Sequence, residues 1–462
     1  MSTLLVAARG RRNKRAWPSV ALPVRVTCTP IPDVLDGEPA NTASTGVWLL
    51  VKAAVAFGAV LVLFTLLLPL WLPYLTLVAA FGRPPNVPRR AQIGRYLGKA
   101  WSLPAAPSGL TFGRRGWITV LVLRKVATIP LWGIAWLLDE LLYARRLDAV
   151  ELRAPLFEIS AGRSGSTQLA RYLEDDATLA APSLIQGFFP YLWMWKLAPR
   201  TLGRWLSKER VRHEFERRLP PEFVERHEGD PFRTDTFDAA LYVAHLNHLS
   251  LFYGADFAVE DFATGRLVPH NRVLWEEDFV AILERIGRKR LVEAGPTLDG
   301  SARRLFVKGH FLAAAPALAR RFPDARFLTV IRAPEKRLQS AINYLRVNPL
   351  DSTLGPPLWS CLVPAVVRSE IDYSDDELAW FTAPTGPRRC VIRFADYVAD
   401  LQGTMKRIYA ECLDGPVPAH VPTEHPPRRR SQYRVDRSLP QLDVDVQALN
   451  ARLAAYVAWC GG

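Results

Sequence analysis

Three short stretches hold residue types that could handle phosphate, protons and developing charge. The first is Ser160-Ala-Gly-Arg-Ser-Gly-Ser-Thr167. Small residues let successive backbone N–H groups turn toward one point, and a helix opening directly behind them adds positive potential, so an anion binds well there. Ser164, Ser166 and Thr167 add hydroxyl donors, Gly165 adds backbone freedom, and Arg163 adds a fixed charge. The stretch is not a Walker loop, because no Gly-Lys-Ser/Thr closes it. It is not a nucleophile elbow, because the second Gly of G-x-S-x-G is replaced by Ser166. A glycine-rich turn with a helix cap is the plainer alternative. The second stretch places Arg332 at a strand end and Ser340 eight positions on, inside the next helix. Arg can hold a phosphate through two parallel hydrogen bonds; a surface Arg beside a helix is the alternative. The third is Lys308-Gly309-His310, also at a strand end. A positioned base contributes about 10²–10⁴-fold to a reaction that removes a proton, and a nearby cation stabilises charge as it develops. A hydrogen-bonded core histidine would read the same way.

Taken together these stretches acquire a family likeness. Arg163-Ser-Gly-Ser-Thr167 after a strand resembles the 5′-phosphosulfate loop of the sulfotransferase family. Membrane-associated members of that family commonly carry R-S-G-T-T, and the soluble cytosolic branch has Lys in place of Arg. Ser166 stands for the first Thr, and Gln168 for the Trp or Leu that commonly follows. Arg332 with Ser340, led in by Phe322-Pro-Asp-Ala-Arg-Phe327, is similar to the family's 3′-phosphate site. Lys308-Gly309-His310 is similar to a Lys-Thr-His triplet in which Lys holds developing charge and His is the base.

The resemblance covers roughly Leu156–Trp459. It implies an α/β fold, a P-loop-like three-layer domain around a parallel sheet. It also implies a donor, 3′-phosphoadenosine-5′-phosphosulfate (PAPS), a product, PAP, no metal, and transfer of a sulfuryl group to a hydroxyl of a carbohydrate, lipid or other small acceptor. On this reading His310, Lys308 and Arg163 are catalytic, while Arg163, Ser164, Gly165, Ser166, Thr167, Arg332 and Ser340 hold the donor.

One departure matters. Many bacterial members carry a Glu downstream of the loop that can serve as base, and Leu184-Ile-Gln-Gly-Phe-Phe-Pro190 puts Gln186 in its place. An amide cannot accept a proton at neutral pH. Either His310 is the base, or Glu276 or Asp278 supplies it, or the protein is a non-catalytic membrane scaffold with a degenerate fold. His245 and His248 are further candidates, and Arg428, Arg429 and Arg430 are a late basic element that either covers the 3′-phosphate or is a solvated charge run. A P-loop-type phosphotransferase is the remaining rival; it needs a Walker Lys, which is not found.

The elements that must position these residues read as an alternation of strands and helices, which argues for a parallel sheet with helices on both faces. Strands are expected at Leu156–Ser160, Arg304–Lys308, Arg326–Ile331 and Cys390–Phe394, with helices at Thr167–Leu173, at Ala313–Arg321, from Pro334, and at Tyr397–Cys412. All three stretches then follow carboxyl ends of strands, where open parallel sheets place ligands. Residues 188–300 read as an acceptor-side insertion within a catalytic region of residues 151–462.

The 462-residue chain is 49% hydrophobic, and the excess sits in the first 150 residues. Residues 1–45 are irregular and basic, and residues 46–150 read as membrane-associated helices. Ala53–Gly82 carries no charge and is longer than the roughly 20 residues that span a bilayer. Pro69 and Pro73 leave open one tilted helix or a hairpin, and a signal peptide is the lesser rival. Trp117–Tyr143 holds Arg124, Lys125 and Pro130, which suits an interfacial helix or a packed second span. The net charge of +14 fits a membrane face or a charged nucleotide, and no nucleic-acid signature accompanies it. Five scattered cysteines with no CxxC pair suit a reducing compartment, so a membrane-associated protein with a cytosolic catalytic region is expected.

Overall fold

The computed structural model describes residues 42–102, 112–201, 207–217, 221, 229–235, 237, 276–346, 359–425, 435 and 437–461. His245, His248 and Arg428–Arg430 lie outside them, as do the side chains of Glu276 and Asp278, which stand in the first turn of the helix Glu276–Ala294.

Five parallel strands form one sheet in the order β2-β3-β1-β4-β5: β1 Leu156–Glu158, β2 Leu179–Ala180, β3 Arg304–Lys308, β4 Arg326–Ile331 and β5 Arg388–Arg393. β1 lies at the centre, with Phe157 level with Val307 of β3 and Phe327 of β4. Successive side chains of a strand point to opposite faces, and both faces are covered. Phe157, Leu305, Val307 and Phe327 pack with Ile282, Leu283 and Ile286 of the helix Glu276–Ala294. Leu156, Phe306, Leu328 and Val330 pack with Leu169 and Leu173 of the helix Ser166–Glu174 and with Met405 and Ile408 of the helix Leu401–Ile408. Near-continuous apolar runs are what a sheet buried on both faces requires.

A buried polar cluster sets the rotation of the helix Pro334–Arg346, which carries Ser340. Arg337, wholly buried, donates to Glu370, to Glu377 at 2.9 Å, to Ser374 at 2.7 Å and to the Tyr456 hydroxyl at 2.8 Å. Thr329 of β4 donates to Glu377 as well. A charge removed from water persists only when paired and hydrogen-bonded this fully.

Ahead of the sheet the helices Thr42–Leu67 and Trp71–Phe81 are joined by a single 3-10 turn, Leu68–Leu70, which holds Pro69. The chain does not double back at the prolines. Ala53 lies 3.5 Å from the place of a Cβ on Gly116, and the ring of Tyr74 occupies the space a Cβ on Gly133 would need. The helices Phe112–Ala127 and Ile129–Ala149 therefore run beside the first two in the same direction. Between them the helix Arg90–Ser102 runs back, with Trp101 Nε1 donating to Thr119 Oγ1 at 2.9 Å. Leu50–Phe81 and Arg115–Ala149 are each long and apolar enough to cross a membrane by length and composition.

The helix Ile129–Ala149 also belongs to the core under the sheet, through Ala135, Trp136 and Leu137. Its Asp139, fully buried, accepts from the backbone N–H groups of Leu192 and Trp193, both at 2.8 Å, at the start of the helix Leu192–Thr201. Lys289 completes the cluster, 2.9 Å from Asp139 and 3.6 Å above the Trp136 ring.

Candidate active site

The three stretches singled out in the sequence follow β1, β3 and β4, which are neighbours, so one crevice at their carboxyl ends receives all of them. The loop after β1 is tied down at its base. The Ile159 N–H donates to the Leu328 carbonyl at 2.9 Å, and the Tyr373 hydroxyl donates to the Ile159 carbonyl at 2.7 Å. The Ser160 hydroxyl donates to Glu158 while accepting from the Val330 N–H at 2.7 Å. Glu158 is fully buried beside Lys308, and burial pushes its carboxyl up to about 7 against the opposing pull of the lysine.

Beyond Ser160 the backbone is forced into unusual shape. Arg163 has φ +67° and Gly165 φ +97°. A left-handed conformation costs a residue with a Cβ roughly 1–2 kcal/mol, and such strain gathers where a loop must present its amides. Gly165 is required twice over, because a Cβ there would also come within 2.5 Å of the Phe394 ring. The helix then starts at Ser166, which is buried, with Thr167 half-buried behind it. Ser164 is wholly buried, and among the described residues its hydroxyl has no hydrogen-bond partner. A buried donor left unmade costs about 1–3 kcal/mol.

Arg332 and Ser340 meet this loop from β4. Arg163 Nε donates to Ser340 Oγ at 2.9 Å across 177 residues of sequence. Arg332 Nη1 donates to the Arg163 carbonyl at 3.1 Å, and its guanidinium lies 4.4 Å from the centre of the Phe394 ring. Tyr344, one turn beyond Ser340, faces the Arg163 guanidinium at 5.2 Å. Phe394 is thus a wedge between Gly165 and Arg332, supplied by the residue directly after β5.

His310 is half-buried, with Nδ1 2.8 Å from the Ser160 carbonyl. A carbonyl only accepts, so Nδ1 carries a proton, and in the neutral form of the ring the lone pair is on Nε2. Nε2 stands 3.8 Å from the position of a Cβ on Gly162, beside the loop. Lys308 reaches the same end of β3 but is buried, its ammonium 2.9 Å from Asp235.

Gln186 plays an architectural part. With Ser183 it forms a capping box at the helix Leu184–Phe188, and its amide donates to Glu293 at 2.8 and 3.1 Å. Glu158, Asp235, Tyr344 and Phe394 join the site without belonging to any of the three stretches. The available signals were a charge inside the apolar run of β1 and an aromatic residue at the carboxyl end of β5.

A model of the Sulfotransferase family matches residues 155–413, more than half of the chain. Among solved structures, sulfotransferase STF1 from Mycobacterium tuberculosis H37Rv is similar with a TM-score of 0.53 at 18% identity, covering 83% of this chain and 97% of that one. Sulfotransferase STF9 from Mycobacterium avium is similar with a TM-score of 0.52 at 17% identity, covering 81% of this chain and 97% of that one. At these identities the likeness is one of fold. No curated protein matches the chain.

Proposed function

The chain belongs to the sulfotransferase family, and from that premise we propose that it transfers a sulfuryl group from PAPS to a hydroxyl of a carbohydrate, lipid or other small acceptor. The observation that carries this reading is the 2.9 Å hydrogen bond from Arg163 to Ser340, which joins two basic phosphate-type elements in one crevice. A nucleotide with phosphate groups at both ends suits a double grip. The buried Ser164 hydroxyl, without a partner among the described residues, and the amides turned by Arg163 and Gly165 fit an anion at the loop.

In this reading Arg163, Ser164, Gly165, Ser166 and Thr167 would hold the 5′-phosphosulfate, and Arg332 and Ser340 the 3′-phosphate. PAPS, when bound, supplies the sulfuryl group. The residues of the chain do the rest. His310 receives the acceptor's proton at Nε2, the atom its bond to Ser160 leaves unprotonated. Arg163 holds charge beside the loop, and Lys308, buried at the end of β3 and paired with Asp235, acts on the site only through the low-dielectric interior. Gln186 caps a helix and donates to Glu293, a bond a carboxylate could not make, so the base role in this reading rests on His310.

Calorimetric titration of PAP into the full chain in detergent, without magnesium, tests the proposal. Wild type should bind. Arg163→Ala and Arg332→Ala should each weaken binding about ten- to a hundredfold, the equivalent of one charge-assisted hydrogen bond. His310→Ala should bind PAP normally and lose about 10²–10⁴-fold in turnover. A folded wild-type protein that does not bind PAP would overturn the reading, and loss of PAP affinity in His310→Ala would remove the base assignment.

A further inference from the structure

We propose that the arm formed by the helices Thr42–Leu67, Trp71–Phe81, Arg90–Ser102 and Phe112–Ala127 docks in the plane of one leaflet of an anionic bilayer, and does not cross it. Four observations carry this.

The helices Thr42–Leu67 and Trp71–Phe81 bury a narrow seam. Ala53, Ala56, Val60 and Leu63 pack with Trp117, Val120, Leu123 and Ala127. The residues facing away from that seam are exposed and apolar, among them Val55 at 71%, Leu66 at 70% and Leu72 at 76%. Ala53–Gly82 has no charged residue, so this face is too long and too apolar to be left to water.

The second apolar segment runs beside the first in the same direction. For both to cross a membrane, residues 82–111 would have to cross it back. They carry Arg83, Arg89, Arg90, Arg95 and Lys99, and the stretch is interrupted by prolines.

A single crossing fails as well. Leu77 and Val78 pack against the core under the sheet, and Asn86 donates to the Tyr191 hydroxyl and the Trp132 carbonyl. The length left to cross is therefore Leu50–Trp71. Gly116 is level with Ala53, and Gly133 with Tyr74. Arg124 lies between them, eight residues past Gly116, so it is level with the middle of that length, and it is exposed. A crossing would put the exposed Arg124 at the bilayer centre, where a charged side chain is costly.

Lying in the plane removes the conflict. The exposed apolar face points away from the helix Phe112–Ala127, so it can sink about 5–10 Å into the acyl boundary. Arg115 and Arg124 on that second helix, and Arg90 at the start of the returning helix, then stand at headgroup level. Each cation near an anionic surface is worth about 1 kcal/mol. The occupant of the apolar face is the bilayer, and the charge behind it selects an anionic one.

Two measurements on the full chain test this. In flotation with vesicles of phosphatidylcholine alone or mixed with phosphatidylglycerol, binding should be tighter to the anionic vesicles. Arg115→Gln with Arg124→Gln should lose about fivefold per charge on those vesicles and little on neutral ones. In sealed membrane vesicles, an impermeant maleimide should reach Cys28 and a Leu298→Cys reporter on the catalytic region from the same side; Leu298 is fully exposed. Labelling from opposite sides would establish a crossing and overturn the proposal. Equal binding to neutral vesicles, or a homodimer that covers the apolar face and ignores vesicles, would overturn it equally.

Discussion

Glu158 stands at the end of β1 with no access to water, and burial outweighs the Lys308 charge and the Ser160 hydrogen bonds that favour its ionised form. Its folded pKa, about 7, lies above the ordinary value of 4.5. A raised pKa contributes stability that is fully present below about 4.5 and is lost as pH rises through about 7. The amount is on the order of 3 kcal/mol. Urea unfolding of wild type and Glu158→Gln in detergent should therefore show a stability difference that shifts against wild type between pH 5 and pH 8. A difference that stays flat would mean the carboxyl is ionised throughout. Residues such as Arg163, Ser340 and His310 could be singled out from their spacing, because each sits a fixed distance past a strand. Phe394 could not, because its partners Gly165 and Arg332 come from two other strands, and only the folded sheet brings three strand ends together.

At the scale of elements, the phosphate-type loop depends on the absence of a side chain at one position. Gly165→Ala adds a methyl group both where the backbone is left-handed and where the Phe394 ring already sits. The loop must distort, and PAP affinity should fall about tenfold or more. Adding Phe394→Ala should relieve the collision but not the backbone cost of about 1 kcal/mol or more, so calorimetry should show partial recovery. Full recovery would mean that φ at this position is unconstrained. β3 and β4 coincide with the stretches Arg304–Lys308 and Arg326–Ile331 expected from sequence, since polar or turn residues bound each apolar run. β2 was not foreseen, because two residues leave no pattern to read. The expected helix Tyr397–Cys412 is broken in two, because Asp400 turns extended and accepts from the Gly403 N–H at 2.8 Å, starting a new helix. Gly403 makes room for that carboxylate, which a Cβ would strike.

For the molecule as a whole, composition distinguishes an apolar first third from an ordinary α/β remainder, but it is silent about how the two are joined. The main join is the helix Ile129–Ala149, with Leu77, Val78 and Asn86 beside it. Its apolar residues suggest a membrane neighbour, and Ala135, Trp136 and Leu137 instead lie in the core cluster under the sheet, beside the helix Glu276–Ala294. Periodicity cannot distinguish those two surroundings, since both reward the same residues. Asp139 is the decisive residue, because it holds Lys289 and the start of another helix in a place closed to solvent. This limits where the chain can be shortened. A cut after Ala149 would strip Trp136 from the core and strand the Lys289 ammonium, a loss of about 3–5 kcal/mol for the broken pair alone. Residues 150–462 should then aggregate on expression, whereas residues 71–462, which keep Leu77, Val78 and Asn86 against the core, should fold and, on the proposed function, bind PAP with the affinity of the full chain. The change from the apolar helices to the sheet falls inside a continuous run of apolar sequence, so the two have no hinge at which to be exchanged for pieces of other proteins.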